Sequence, residues 1–173
     1  MHFQSNHLSI HLSRQTPAFT EFSVDSLGRG RLDRNPVLDR PPDTTTPGLE
    51  LNADLAYTMQ GHTVWSVVCA ERSLVLRSEH VPGVDIPSFE LVLNQKANHA
   101  TLLGLMRPGD RRMSLPCVLH MPDMGSLRIT GNQPVMRLDY DARRWAAPAP
   151  FVDIAFPPAN AATPRIEYRI DVV

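Results

Sequence analysis

No apolar run in this 173-residue chain approaches the ~20 consecutive residues that a bilayer-spanning helix needs. There is no excess of either charge: 17 Lys+Arg face 18 Asp+Glu, for a formal net charge of -1. Without a basic surplus to neutralise a phosphate backbone, the balance argues against a dedicated nucleic-acid binder. Lysine is almost missing, since the basic residues are 16 Arg and the single Lys96, a bias that fits a GC-rich genome better than a binding surface. Aromatic residues reach only 6%, a thin supply for a module that stacks sugars on exposed Trp or Tyr rings. The two cysteines, Cys69 and Cys117, each sit in an apolar, strand-like run without basic neighbours to lower their pKa. Buried free thiols are expected, with a cross-strand disulfide as the alternative and a catalytic thiol least favoured. The N-terminal MHFQSNHLSIHLSRQ has no basic start followed by an apolar stretch, so no secretory signal is legible and the cytoplasm is the default expectation.

The familiar catalytic signatures are missing as well. There is no G-x-S-x-G, no G-x-x-x-x-G-K-[ST], no H-E-x-x-H, no C-x-x-C and no G-x-G-x-x-G, so no catalytic or cofactor-binding residue is nominated. The closest histidines, His7 and His11, are four positions apart. On a strand they share a face but lie ~13 Å apart, too far to chelate one ion, so no metal ligands are nominated either.

What the chain does have is the material of one β-rich domain spanning 1–173. Hydrophobic residues make up 42%, enough for a real core, and 16 prolines argue against long helices. The C-terminal PRIEYRIDVV sets Ile166, Tyr168, Ile170 and Val172 against Arg165, Glu167, Arg169 and Asp171, the alternation of a half-buried antiparallel strand. HLSIHL repeats the pattern with Leu8, Ile10 and Leu12, and Phe22 with Val24 hints at another strand. Residues 28–48, with four Pro, three Gly and four Arg, read as a loop or arm.

Beyond Leu49, short apolar segments alternate with turn signals such as Arg107-Pro108-Gly109-Asp110. In HTVWSVVCA, Trp65, Val67 and Cys69 are expected on one face and Val64 and Val68 on the other, as in a strand covered on both sides. NHATLLGLM reads as a strand rather than a helix because of Gly104. The expectation is an all-β fold: a large antiparallel two-layer β-sandwich of eleven to thirteen strands with little helix.

Candidate binding residues are few. His62 and His80 fall at strand ends and read as surface histidines. His120 and Asp123, three apart across a proline turn, offer an imidazole and a carboxylate to a sugar hydroxyl or a metal; the plainer reading is an Asx-type turn on the Gly125 amide. His99 lies in a polar stretch nearby. Trp145, in the loop DARRWAAPAP, is the best stacking or docking candidate, whereas Trp65 reads as core. Glu90 and the doublet of Asp139 and Asp141 are carboxylates without the opposed partner that glycoside hydrolysis needs.

Asn94-Gln95-Lys96, His99-Ala100-Thr101-Leu102-Leu103-Gly104 and the run from Leu115-Pro116 to Gly125 give 89–130 a texture that resembles the β-sandwich preceding the helical barrel in bacterial six-hairpin glycosidases, the glucoamylase-like and trehalase-like enzymes. The resemblance implies a sandwich that supports a cleft whose catalytic acids lie in an (α/α) barrel. It also implies a periplasmic or extracellular setting, at odds with the unmarked N-terminus. The expected function is therefore a non-catalytic accessory module of a carbohydrate-active enzyme. Its expected partner is a helical catalytic domain, or a second copy, docked on an apolar sheet face. The alternatives are a free-standing carbohydrate- or ligand-binding sandwich using Trp145, His120, Asp123 and His99, and a small metal-dependent β-barrel enzyme. Strands with apolar residues in both directions predict a contiguous exposed apolar patch, fed by Val64, Val68, Leu102, Val118 and the methionines Met106, Met121 and Met124, the alternative being that the arm of residues 28–48 folds back over that face.

Overall fold

The computed structural model describes residues 1–30, 32, 45–94, 101–106, 111–121, 125–139 and 151–173. Most of the 28–48 arm lies outside the described residues, as does the turn at 107–110. The described part is nearly all-β and antiparallel. Its strands are β1 (His2–Gln4), β2 (Leu8–Leu12), β3 (Phe19–Val24), β4 (Leu49–Leu51), β5 (Ala56–Met59), β6 (His62–Ala70) and β7 (Ser73–Glu79). They continue with β8 (Phe89–Asn94), β9 (Thr101–Met106), β10 (Arg112–Met121), β11 (Gly125–Gly131), β12 (Val135–Asp139), β13 (Phe151–Phe156) and β14 (Arg165–Val172). NHATLLGLM is thus a strand from Thr101, as expected.

A small sheet runs β1-β2-β3, and a large one runs β4-β5-β6-β7-β14-β11-β10-β12-β13-β8 with β9 on the flank of β10. The large sheet curls because β10 carries two successive neighbours on one side. Cys117 faces Ile129 of β11, whereas Arg112 faces Met136 of β12. Between those pairings sits Pro116, which has no N–H to give to a ladder, and the register toward β9 shifts between Ser114 and Val118. Beyond this break β11 pairs with β14, and β12 pairs with β13. One bent ribbon thereby feeds two layers, the way sheet corners are made.

The layers meet on aromatic rings. Phe89 of β8 lies 5.6 Å from the Trp65 ring of β6 and 6.0 Å from that of Tyr57 of β5. Phe156 of β13 lies 5.1 Å from Tyr168 of β14. The small sheet extends the second layer: Phe19 packs on Phe89 at 4.9 Å, a parallel bridge joins Ala18 to Glu90, and the Glu90 amide donates to the Pro17 carbonyl at 2.9 Å.

Period 2 explains most of the core. Ile166, Tyr168, Ile170 and Val172 are buried, and so are Leu8, Ile10 and Leu12. β6 departs from the expected faces. A register shift between Tyr57 and Thr58 leaves Val64 as the extra residue opposite β5, so Val64 and Trp65 are both fully buried. Val68 points outward as expected but is 47% exposed, so the strand is central in its sheet without being covered on both sides. Gly104 of β9 is itself exposed, but a Cβ there would stand 2.7 Å from Met113 Sδ and 3.0 Å from Cys117 Cβ, both buried. A side chain there would push β9 away from β10. Gly125 opens β11 with φ +108° and with Ser26 against the position of a Cβ, so glycine is required on both counts.

Candidate functional site

Of the four expected ligand-binding residues, His120 is described, whereas His99, Asp123 and Trp145 lie outside the described residues. His120 sits near the end of β10, in register with Ser126 of β11 and Thr101 of β9. Its Nδ1 lies 3.0 Å from Ser126 Oγ and the ring is exposed. The row of Thr101, His120 and Ser126 is a polar surface strip with the imidazole Nε2 facing away from the serine. That is a hydrogen-bonding edge; a hydrolase dyad would present the other nitrogen to the hydroxyl.

The next row inward changes character. Leu103 of β9 faces Val118 of β10, Val118 faces Arg128 of β11, and Arg128 faces Asp171 of β14. Because the Cβ direction at Gly104 is toward Met113 and Cys117, Leu103 and Leu105 point out, and they are 55% and 80% exposed. Val118 and Leu102 are half-buried. Past them an ionic ridge begins: Asp171 takes Arg169 at 2.7 Å and Arg128 at 3.4 Å, and Arg77 pairs with Glu167 at 2.9 Å. Val68 lies beyond this ridge, on the far side of β7 and β14. Among the described residues the apolar surface on β9 and β10 is therefore a short strip and not the broad patch expected; Met121, fully buried, does not feed it, and the Met106 side chain and Met124 lie outside the described residues.

Glu90 is the described carboxylate least at ease with its surroundings. Its cross-strand neighbours are Ala18 and Ala155, which offer no donor and no second carboxylate. Oε2 is buried without a hydrogen-bond partner among the described residues. Burial raises its carboxyl above the ordinary range. Neither residue directly opposite it in the ladders is an acid, so no opposed pair of the kind glycoside hydrolysis uses is seen among the described side chains. The thiols are equally quiet. Cys69 and Cys117 are free, and burial pushes both up to about 11. A disulfide between them is absent, and both stay protonated at neutral pH.

One cluster escaped the sequence reading. β1 and β2 pair so that His2 faces His11, and β2 and β3 pair so that His11 faces Glu21. The two imidazole rings lie 4.3 Å apart, centroid to centroid. His11 Nδ1 meets Glu21 Oε2 at 2.6 Å, and His2 Nε2 meets Ser9 Oγ at 3.1 Å. The signal lay in the tight turn at Ser5, whose hydroxyl accepts from the amides of His7 and Leu8. A turn spanning Ser5 to Leu8, centred between Asn6 and His7, sets the register that brings residue 2 opposite residue 11.

Among the described residues, no group of three or more His, Cys, Asp or Glu side chains is arranged to hold a metal ion. None of the described helices is long and apolar enough to cross a membrane. No family model, no curated protein and no solved structure matches this chain.

Proposed function

We propose that this chain is a non-catalytic β-sandwich module that works by docking, with the helical catalytic domain of a carbohydrate-active enzyme as its partner. The observation that carries this reading is the outward pair Leu103 and Leu105 on β9, 55% and 80% exposed beside half-buried Val118. Large aliphatic side chains on the outer face of a flanking strand gain most when a second apolar surface covers them. The strip also coincides with the residues that resemble the glycosidase sandwich, since Thr101–Gly104 lie on β9 and Leu115–Met121 on β10. That coincidence supports a helical catalytic domain over a second copy of the chain. Glu90, with an alanine opposite it on either side, and the two protonated thiols fit a supporting role better than a catalytic one. Mixing the chain with a helical (α/α)-barrel glycosidase domain whose gene adjoins its own should give a stable complex, and the pair Leu103→Arg and Leu105→Arg should abolish it; the lack of any such gene or complex overturns the reading. An unchanged complex in that variant overturns the docking surface.

The polar row of Thr101, His120 and Ser126 supports a second reading, a free-standing ligand-binding module. Titration with an oligosaccharide panel, followed by tryptophan fluorescence, separates the two. A saturable shift lost in His120→Ala favours sugar binding; no shift with a folded protein counts against it.

A further inference from the structure

We infer that the outer face of the small sheet carries a binding site for a divalent transition-metal ion of the zinc and copper type, with His2 and His11 as its two protein ligands. Directly opposed residues on antiparallel strands project from one face with Cβ atoms about 4.5–5.5 Å apart. The His2 and His11 rings already approach to 4.3 Å, inclined at 47°. Two imidazole nitrogens on one tetrahedral ion, each at about 2.0–2.1 Å, stand roughly 3.3 Å apart. Bringing a nitrogen of each ring to that separation would ask for side-chain rotation, chiefly of His2, and no change in the pairing of the strands.

The hydrogen bonds set the chemistry of each ligand. A carboxylate only accepts, so the 2.6 Å contact with Glu21 Oε2 puts the proton of His11 on Nδ1. Nε2 of His11 is then the lone-pair nitrogen. A carboxylate behind a histidine in this way fixes the ring and raises its basicity, as in carboxylate–histidine–metal triads. On His2, Nε2 is held by Ser9 Oγ at 3.1 Å, which leaves Nδ1 to the ion. Two ligands leave further coordination positions to water or to an incoming donor, consistent with the lack of a three-ligand cluster among the described residues. Imidazole donors suit zinc, nickel and copper, and the affinity order places Cu²⁺ above Ni²⁺ and Zn²⁺. His7, bonded through Nδ1 to the Asp25 carbonyl, and His120, bonded to Ser126, each face an oxygen instead of a second imidazole. Bound metal would clasp β1 to β2.

The test titrates the intact chain with Zn²⁺ and with Cu²⁺ by calorimetry in a weakly coordinating buffer, beside His2→Ala, His11→Ala and Glu21→Gln. All three positions are at the surface, so circular dichroism of the metal-free variants should match the parent. One ion per chain is expected. Affinity should fall at least tenfold in each alanine variant and about tenfold in Glu21→Gln, the usual effect of removing such a carboxylate. Zn²⁺ should raise the melting temperature of the parent and not that of His2→Ala. Binding that survives His11→Ala places the ion elsewhere, on the amino terminus or another histidine, and overturns the site. So does an absence of binding in the parent.

Discussion

Replacing Phe89 by alanine removes the ring on which the two layers of the curled sheet close. Phe89 is fully buried and stands edge-on to Phe19, Tyr57 and Trp65 at 4.9, 6.0 and 5.6 Å. Its three neighbours come from β5 and β6 near one end of the large sheet and from the start of β3, the last strand of the small one, whereas Phe89 itself opens β8 at the other end. A buried Phe→Ala change costs about 3–5 kcal/mol through lost transfer energy and the cavity left behind. Aromatic pairs contribute about 0.5–1.5 kcal/mol each beyond their buried area, which places this position toward the top of that range, at roughly 4–5 kcal/mol. For a chain of this size, ~3 °C of melting temperature per kcal/mol gives a drop of about 13 °C. Urea unfolding of Phe89→Ala beside the parent measures the loss directly, with the slope against denaturant unchanged. The surface substitution Leu105→Ala, at a residue 80% exposed, serves as the control and should change stability by less than ~0.5 kcal/mol. A Phe89→Ala loss below ~2 kcal/mol would show that β8 does not close the layers, and the two-layer account would fail with it.

Gly104→Ala should destabilise by about 1 kcal/mol, and Gly104→Val by more, because a Cβ meets Met113 Sδ at 2.7 Å and Cys117 Cβ at 3.0 Å; thermal melts that match the parent would contradict this packing. Glu90 has a carboxyl raised by burial, so the folded state holds its proton to higher pH than the unfolded one. Its stability penalty is absent below the unfolded value of ~4.3, grows as pH rises toward the folded value and is complete above it. Glu90→Gln should therefore be more stable than the parent at pH 7 and lose that advantage as pH falls below 4, as read by urea midpoints at both pH values. With both thiols pushed up to about 11, roughly one in a thousand is ionised at pH 8. Ellman's reagent should leave buried Cys117 unmodified in the native chain and react with it on unfolding; prompt reaction in the folded state would refute its burial.

The elements legible in the sequence are those with an uninterrupted period. β14 alternates Ile166, Tyr168, Ile170 and Val172 with charged residues over its full length, and burial follows that alternation. β2 is read in the same way from Leu8, Ile10 and Leu12. Features that depend on pairing were not legible. Val64 changes face because of a register shift against β5, and nothing in HTVWSVVCA marks that extra residue. The corner at β10 rests on the coincidence of Pro116 with the handover from β12 to β11, a relation between strands rather than a property of either. The His2, His11 and Glu21 row has the same origin, because spacing along one strand brings only His7 and His11 to mind. Glu90 was visible as a carboxylate, but that its Oε2 finds no donor among the described residues depends on the alanines that three-dimensional pairing sets beside it.

Site-specific photo-crosslinking from position 105 tests the docking account most directly. A benzophenone side chain replaces Leu105 in the full-length protein in the cells that make it, and adducts are identified by peptide mass spectrometry. The same group at Glu167, which lies on the ionic ridge paired with Arg77, serves as the comparison. Docking on a helical catalytic domain predicts adducts from position 105 with peptides of an (α/α)-barrel glycosidase, and far fewer from position 167. Adducts solely with other copies of this chain, or equal yields from the two positions, would contradict it.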